Sequence, residues 1–232
     1  MKVTSLLTAP ILTLLVTGRL ALATVAEPSR WAISLDGPWQ FQRGPLPTNA
    51  WRTVTVPSTF QDHEGNAFHG VGWYRREIAP FELPPGRRVL LHFEAAATAA
   101  EVWWNGERLG AHLGGWTPFR FDVTDLVRRA AAGQPHEVRV RLDEKVGHNT
   151  QGFLTIIEPH FGGLWQPVKL LGVPETYVDD LCLHAYGNPL THRLELHLPL
   201  CGSSTSAVDS VRVRRRPRGA TGWSAETTQA WP

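Results

Sequence analysis

The segment 61–70 contains the side chains of this chain that are best suited to hydrogen-bond hydroxyl groups of a ligand. Carboxylates accept hydrogen bonds, whereas carboxamides and neutral imidazoles both donate and accept. The same composition is typical of a solvated turn loop, and the residues alone leave both interpretations open. The candidates in this segment are Asp62, His63, Glu64, Asn66 and His69.

A second polar segment, residues 155–163, contains Glu158 and His160 before a Gly-Gly pair. A carboxylate and one imidazole are too few ligands to indicate a metal site. The two cysteines, Cys182 and Cys201, form no C-x-x-C motif, and their spacing does not favour a disulfide bond. We therefore predict no metal and no cofactor.

Composition excludes some classes of partner. The formal net charge is only +2, which argues against nucleic acid as a partner. The one basic run, residues 212–218, begins with the alternation of a solvent-facing strand. Ten tryptophans favour a packed core, although one or two of them are alternatively expected to form a flat surface for ligand stacking.

The N-terminus has the character of an export signal. Lys2 precedes a short apolar stretch at 6–16, and small residues suited to cleavage follow at 21–26. The apolar stretch is too short to span a bilayer. We therefore predict a signal peptide over residues 1–26, a periplasmic or extracellular location, and no membrane span.

The elements that must position these side chains are short strands. Residues 101–104 alternate and are followed by Asn105-Gly106, the pair typical of a type I′ hairpin turn. Trp103 and Trp104 should therefore point to opposite faces of one strand. About eight such strands precede Pro174, with loops expected at 58–72 and 144–163 and one helical turn from Thr124 to Ala132. This pattern predicts a β-sandwich or jelly roll.

Three more strands are expected after Pro174, over residues 178–186, 192–198 and 208–214. An immunoglobulin-like sandwich needs about seven strands, so this second unit reads as incomplete. Trp116 and Trp165, which lie beside glycines, are expected to plug the ends of the first sandwich. Asp122 and Thr124 are expected to fix a turn through side-chain to backbone hydrogen bonds.

Ordered motifs over residues 35–183 resemble the N-terminal sugar-binding domain of glycoside hydrolase family 2, the β-glucuronidases and β-galactosidases. The motifs are DGPWQF at 36–41, VPS at 56–58, GWYRR at 72–76, VWWNGE at 102–107, GGWTPF at 114–119, FDVT at 121–124 and GGLWQPV at 162–168. The segment YVDDL at 177–181 resembles the start of the family's immunoglobulin-like domain. The resemblance implies a galactose-binding-like jelly-roll β-sandwich over 27–174, followed by a partial immunoglobulin-like unit over 175–232.

The resemblance also implies that two loops reach a sugar-binding pocket. It makes Asp62, His63, Asn66, His69, Glu158 and His160 candidate sugar contacts. The family often has an aspartate six residues before the second glycine of the Gly-Gly pair, and this chain has Ile157 there, with Glu158 one residue on. Glu158 is therefore expected to contact a sugar hydroxyl or a cation, or to be an exposed structural carboxylate.

Hydrolysis in this family resides in a TIM barrel, which needs about 250 residues. Retaining enzymes use two carboxylates about 5–5.5 Å apart, and the Asn-Glu pair usual for the family's acid/base residue does not occur in this sequence. We therefore expect no catalytic residue and no autonomous hydrolysis here. The main interpretation is the carbohydrate-recognition part of a family 2 glycosidase. The alternatives are a standalone secreted carbohydrate-binding module and a structural subunit that docks on a separate barrel.

Overall fold

The computed structural model describes residues 30–48, 50–144, 161–191, 193–203, 208–214, 216, 218–219, 221–223 and 226–230. Contacts divide the chain into two compact units, with the boundary between Pro174 and Glu175. No helix in the described ranges is long and apolar enough to cross a membrane.

The unit that ends at Pro174 contains two antiparallel sheets. The strands are β1 (Trp31–Ser34), β2 (Gly37–Arg43), β3 (Arg52–Val56), β4 (Val71–Ile78), β5 (Arg87–Phe93), β6 (Ala99–Trp104), β7 (Glu107–Leu113), β8 (Phe119–Asp122), β9 (His136–Asp143) and β10 (Val168–Pro174). One sheet has six strands in the order β3-β2-β4-β9-β6-β7, and the other has four in the order β1-β10-β5-β8.

The two sheets share one hydrophobic core, as a sandwich requires. Strand β9 shows why the sequence folds this way, because its buried and partly exposed residues alternate along its whole length. Val138, Val140 and Leu142 face the core from this strand, and Val89 and Leu91 face it from the other sheet. The prediction of an all-β sandwich is confirmed.

The Asn-Gly hairpin is also confirmed. Strands β6 and β7 pair around Asn105 and Gly106, whose φ angles of 49° and 84° are both positive. A type I′ turn requires this conformation. Trp104 is fully buried, whereas Trp103 lies on the opposite face and packs against Trp73 at 5.2 Å between ring centroids.

One expectation about helices was wrong, and another was confirmed except for where the helix ends. Residues 58–72 are not simply a loop, because they contain helix α1 (Phe60–Glu64). Helix α2 (Thr124–Arg129) is shorter than expected, and no side chain caps its first turn. The hydroxyl of Thr124 instead bonds the backbone of Val89, while Asp122 accepts from the Thr124 backbone N–H, as expected for a turn.

The unit from Glu175 contains three two-stranded antiparallel pairs rather than three single strands. None of its described residues is fully buried. The strands at 184–188 and 193–197 pair with each other, and both cysteines are free thiols. The pairs are β11 (Thr176–Val178) with β14 (Leu200–Gly202), β12 (His184–Asn188) with β13 (Arg193–His197), and β15 (Ser210–Arg214) with β16 (Glu226–Ala230).

Candidate functional site

Asp62, the first candidate residue, is part of the capping box at which helix α1 begins. The Asp62 carboxylate accepts hydrogen bonds from the backbone N–H and the hydroxyl of Thr59, at 2.7 and 2.8 Å. The bond from the Thr59 backbone contributes most to holding the pKa of Asp62 below its usual range, and the Thr59 hydroxyl adds to it. Asp62 thus secures the helix start, while its side chain stays exposed to solvent.

His63 is held inside the fold. Its side chain is only 11% exposed, and its ring packs edge-on against Phe41 at 4.5 Å. Nδ1 lies 3.3 Å from the Arg52 guanidinium, which can only donate, so Nε2 carries the proton and donates to the Tyr74 hydroxyl at 3.3 Å. Burial, reinforced by Arg52, lowers the pKa of His63 to about 4, so the ring is neutral near pH 7.

Glu64 pairs with two cations from neighbouring strands. Its side chain is 10% exposed, forms an ion pair with Arg52 and lies 3.8 Å from Arg43. These contacts fix the carboxylate against the sheet edge at β3. Glu64 therefore ties the last turn of α1 to strands β2 and β3.

The last two candidates of this segment, Asn66 and His69, are exposed. His69 is anchored from below, because its Nδ1 lies 2.9 Å from Oε1 of Glu144, whose side chain is fully buried. Glu144 directly follows β9 and donates its backbone N–H to Gly70 at 2.9 Å. The Nδ1 side of the His69 ring is thus held by a buried carboxylate, while the ring as a whole is partly exposed to solvent.

The Gln61 side chain joins three segments that are distant in sequence. Its amide nitrogen donates to the Phe68 carbonyl at 2.9 Å and to Oε2 of Glu144 at 3.2 Å. Its amide oxygen accepts from the Gly162 backbone N–H at 3.2 Å. One carboxamide therefore fixes the chain on both sides of residues 145–160.

Three aromatic side chains, Trp116, Phe161 and Trp165, form what we call the aromatic group. Their ring centroids are 4.8 to 5.6 Å apart with steep interplanar angles. Trp165 is partly buried and donates its indole N–H to the Gly115 carbonyl at 2.9 Å. Trp116 is 47% exposed. The expectation that Trp116 plugs the end of the sandwich was therefore wrong, because its ring packs on Phe161 and Trp165 and is partly open to solvent.

The polar segment and the aromatic group lie at the same end of the sandwich, which we call the rim. Phe161 precedes Gly162, whose carbonyl accepts from the Phe60 backbone N–H of α1 at 2.7 Å. Gly163 forms a β-bridge with Ala97, and Ala97 in turn lies against Gly115 beside Trp116. The rim thus combines hydrogen-bonding groups with the exposed ring of Trp116.

Two of the predicted site residues, Glu158 and His160, lie outside the described residues. Among the residues that the structure does describe, no group of three or more His, Cys, Asp or Glu side chains is placed to hold a metal ion.

Sequence reasoning did not identify Gln61, Glu144 or Phe161 as parts of the rim. The one signal for Glu144 was its place immediately after the strictly alternating strand β9. Nothing in the spacing indicated its contact with Gln61, because the two residues are 83 positions apart.

Comparison with protein families gives a match over residues 21–142 to the glycosyl hydrolases family 2 sugar-binding domain. A β-galactosidase of Thermoanaerobacter pseudethanolicus is 33% identical over 136 residues, which cover 56% of this chain and 18% of that protein. A β-glucuronidase of Canis lupus familiaris is 28% identical over 199 residues, which cover 67% of this chain and 30% of that protein. The chain therefore spans less than a third of the length of each of these relatives.

Several solved structures have the same fold as this chain. The β-glucuronidase of Parabacteroides merdae superposes with a TM-score of 0.68 at 19% identity, covering 86% of this chain and 30% of that one. A β-galactosidase-like protein from Bacteroides fragilis gives 0.67 at 20% identity, covering 87% of this chain and 33% of that one. At these identities the likeness shows the fold alone.

Proposed function

The chain belongs to glycosyl hydrolase family 2, and we propose that it is the carbohydrate-recognising N-terminal portion of a glycosidase that acts on β-glucuronides or β-galactosides. The observation that carries this proposal is the match of the family's sugar-binding domain to residues 21–142. The named relatives, a β-galactosidase and a β-glucuronidase, supply the two substrate classes.

The chemistry of the rim supports carbohydrate as the ligand. A pyranose presents hydroxyl groups at its edge and an apolar C–H face, and these match hydrogen-bonding side chains and an aromatic ring. Asp62, Asn66 and His69 are the exposed residues among the described candidates. Asp62 and His63 already make hydrogen bonds within the fold, so we expect them to contribute mainly by shaping the rim.

The roles of Glu158 and His160 remain predictions from the sequence, because both lie outside the described residues. We assign no catalytic role to the rim. Hydrolysis with retention needs two carboxylates about 5–5.5 Å apart at the mouth of a barrel. We propose that a barrel domain, carried by the same polypeptide or by a separate one, supplies them.

Sugar binding by the full chain tests the proposal. Methyl β-D-glucuronide and methyl β-D-galactoside are titrated separately while ligand-observed NMR follows saturation transfer. We expect saturable binding of at least one sugar, weakened in the double variant N66A/H69A. The matched control is the exposed carboxylate variant D125N on α2. Absence of binding to both sugars would contradict carbohydrate recognition, and turnover of p-nitrophenyl glycosides by this chain alone would contradict the assignment of catalysis to a barrel.

A second candidate function is a standalone carbohydrate-binding module, and the exposed ring of Trp116 favours it. Binding to a glycan array distinguishes the two candidates. An isolated module is expected to select a defined oligosaccharide without a partner, whereas part of a glycosidase is expected to bind single sugars more tightly when a barrel domain is present.

We also propose that the chain is exported, on the strength of the sequence at residues 1–26. Expression with an epitope tag at Pro232, followed by fractionation and N-terminal sequencing, tests this. A tagged protein that retains Met1 and stays in the cytoplasm would contradict export.

A further inference from the structure

We infer that Glu144 is a positioning residue that orients His69, so that Nε2 of His69 contacts a hydroxyl group of the bound sugar. This inference rests on the proposed carbohydrate-binding function. It adds a residue that sequence reasoning did not select, and it assigns the contact to one nitrogen of the ring.

The Glu144 carboxylate uses both of its oxygens within the rim. Oε1 lies 2.9 Å from Nδ1 of His69, and Oε2 accepts from the Gln61 amide at 3.2 Å. An ionised carboxylate can only accept hydrogen bonds, so Nδ1 must carry a proton and donate. In the neutral ring this leaves Nε2 unprotonated, with its lone pair directed away from Glu144.

The surroundings of the pair make this orientation stable. The Glu144 side chain is fully buried, and a buried carboxylate is tolerated when hydrogen bonds satisfy it. Its backbone is fixed by the bond to Gly70, the residue that follows His69. Gln61, which holds Oε2, is itself fixed at Phe68 and at Gly162. The carboxylate is therefore a rigid acceptor.

The outward edge of His69 is the part that meets ligand. The His69 side chain is 37% exposed, and the one polar contact described for its ring uses Nδ1. An imidazole nitrogen with a free lone pair accepts a hydrogen bond from a hydroxyl group, and a carboxylate behind the ring fixes its tautomer and direction. Hydroxyl groups in carbohydrates supply such donors.

The unit from Glu175 contains a matched pair that has the same chemistry. His197 and Glu195 lie 2.8 Å apart, with side chains 43% and 42% exposed. Substitutions in this pair remove a histidine–carboxylate contact and leave His69 and Glu144 in place. They serve as controls for both measurements below.

The first measurement reads the tautomer of His69 and requires no sugar. Nitrogen-15 NMR of the imidazole, at a pH where the ring is neutral, is expected to show Nδ1 protonated in the wild type. Free neutral histidine favours protonation at Nε2, so E144A is expected to shift His69 toward that form, while E195A leaves it unchanged. A wild-type ring protonated at Nε2 would overturn the inference.

The second measurement reads affinity for methyl β-D-glucuronide and methyl β-D-galactoside. H69A and E144Q are each expected to weaken binding roughly threefold to tenfold, the usual effect of one hydrogen bond. Adding E144Q to H69A is expected to weaken binding no further, because Glu144 acts through His69. H69Q, which places an amide near the position of Nε2, is expected to restore part of the affinity, and H197A to leave it unchanged.

The outcomes separate this inference from the proposed function. If the wild type binds sugar and H69A binds equally well, the hydroxyl contact is refuted while carbohydrate recognition stands. If E144Q weakens binding as much in H69A as in the wild type, the effect is structural and the positioning role is refuted. If the wild type binds neither sugar, the proposed function itself fails, whatever the tautomer measurement shows.

Discussion

The substitution G162A tests the packing on which the rim depends. A Cβ atom built at Gly162 lies 2.7 Å from Cδ2 of Phe60 and 2.8 Å from Cβ of Glu144. Ordinary carbon contacts are about 3.5–4.0 Å. The added methyl group therefore forces either α1 or the end of β9 to move.

Neither neighbour moves easily. Phe60 is fully buried, and its ring packs against Phe41, Phe68 and Tyr74 at centroid distances of 5.4 to 6.0 Å. Overpacking at such a site costs about 1–3 kcal/mol in the free energy of unfolding. A loss of about 2 kcal/mol corresponds to a fall in Tm of roughly 4–8 °C for a chain of this size.

The assay is urea denaturation followed by circular dichroism, with Tm measured in parallel. The matched control is G115A, on the same rim, where the added Cβ atom comes no closer than 3.4 Å to Ala97 Cβ, just short of ordinary contact; we expect it to change stability by less than about 0.5 kcal/mol. The double variant G162A/F60L is expected to be more stable than the sum of the single effects predicts, because leucine leaves room for the methyl group. If G162A is as stable as G115A, Phe60 does not pack against Gly162 and the reasoning fails.

Three further predictions concern the pH response, the helix cap and the aromatic group. Because the pKa of His63 falls from 6.5 to about 4 on folding, the unfolded chain takes up a proton there between those values while the folded chain does not. Stability should therefore decline as the pH falls from about 6.5 to 4, and urea titrations of H63Q across that range should show a shallower decline; an equal slope would contradict this. T59A, which removes the cap hydroxyl of α1, should cost about 1 kcal/mol in urea denaturation, whereas T59S should cost much less; equal losses would contradict the role of the hydroxyl. W116A should weaken sugar binding several-fold in NMR titration with little change in Tm, because the ring is exposed, while W116F should retain most of the affinity; unchanged binding by W116A would exclude the ring from the sugar site.

The sandwich was largely predictable because its signals are local. The alternation in β9 and the Asn105-Gly106 turn require only neighbouring residues, and the structure confirms both. Elements with a weak local signal were missed. Strand β1 has four residues, β16 is polar except for Ala230, and the five residues of α1 are too few to show a helical period.

The rim could be predicted only in part. The polarity of residues 61–70 singled out this segment, but it did not show that Asp62 caps a helix or that His63 is enclosed by Phe41 and Tyr74. The contact of Gln61 with Glu144 joins residues 83 positions apart. Such long-range contacts are set by how the strands pair, which the sequence of either segment alone does not contain.

The Gln61 amide has a consequence for how substitutions at one position spread through this end of the sandwich. One side chain bonds both Glu144 and Gly162, which are distant from it and from each other in sequence. A substitution at position 61 therefore acts on both points at once, and its cost in stability is expected to exceed that of a single hydrogen bond.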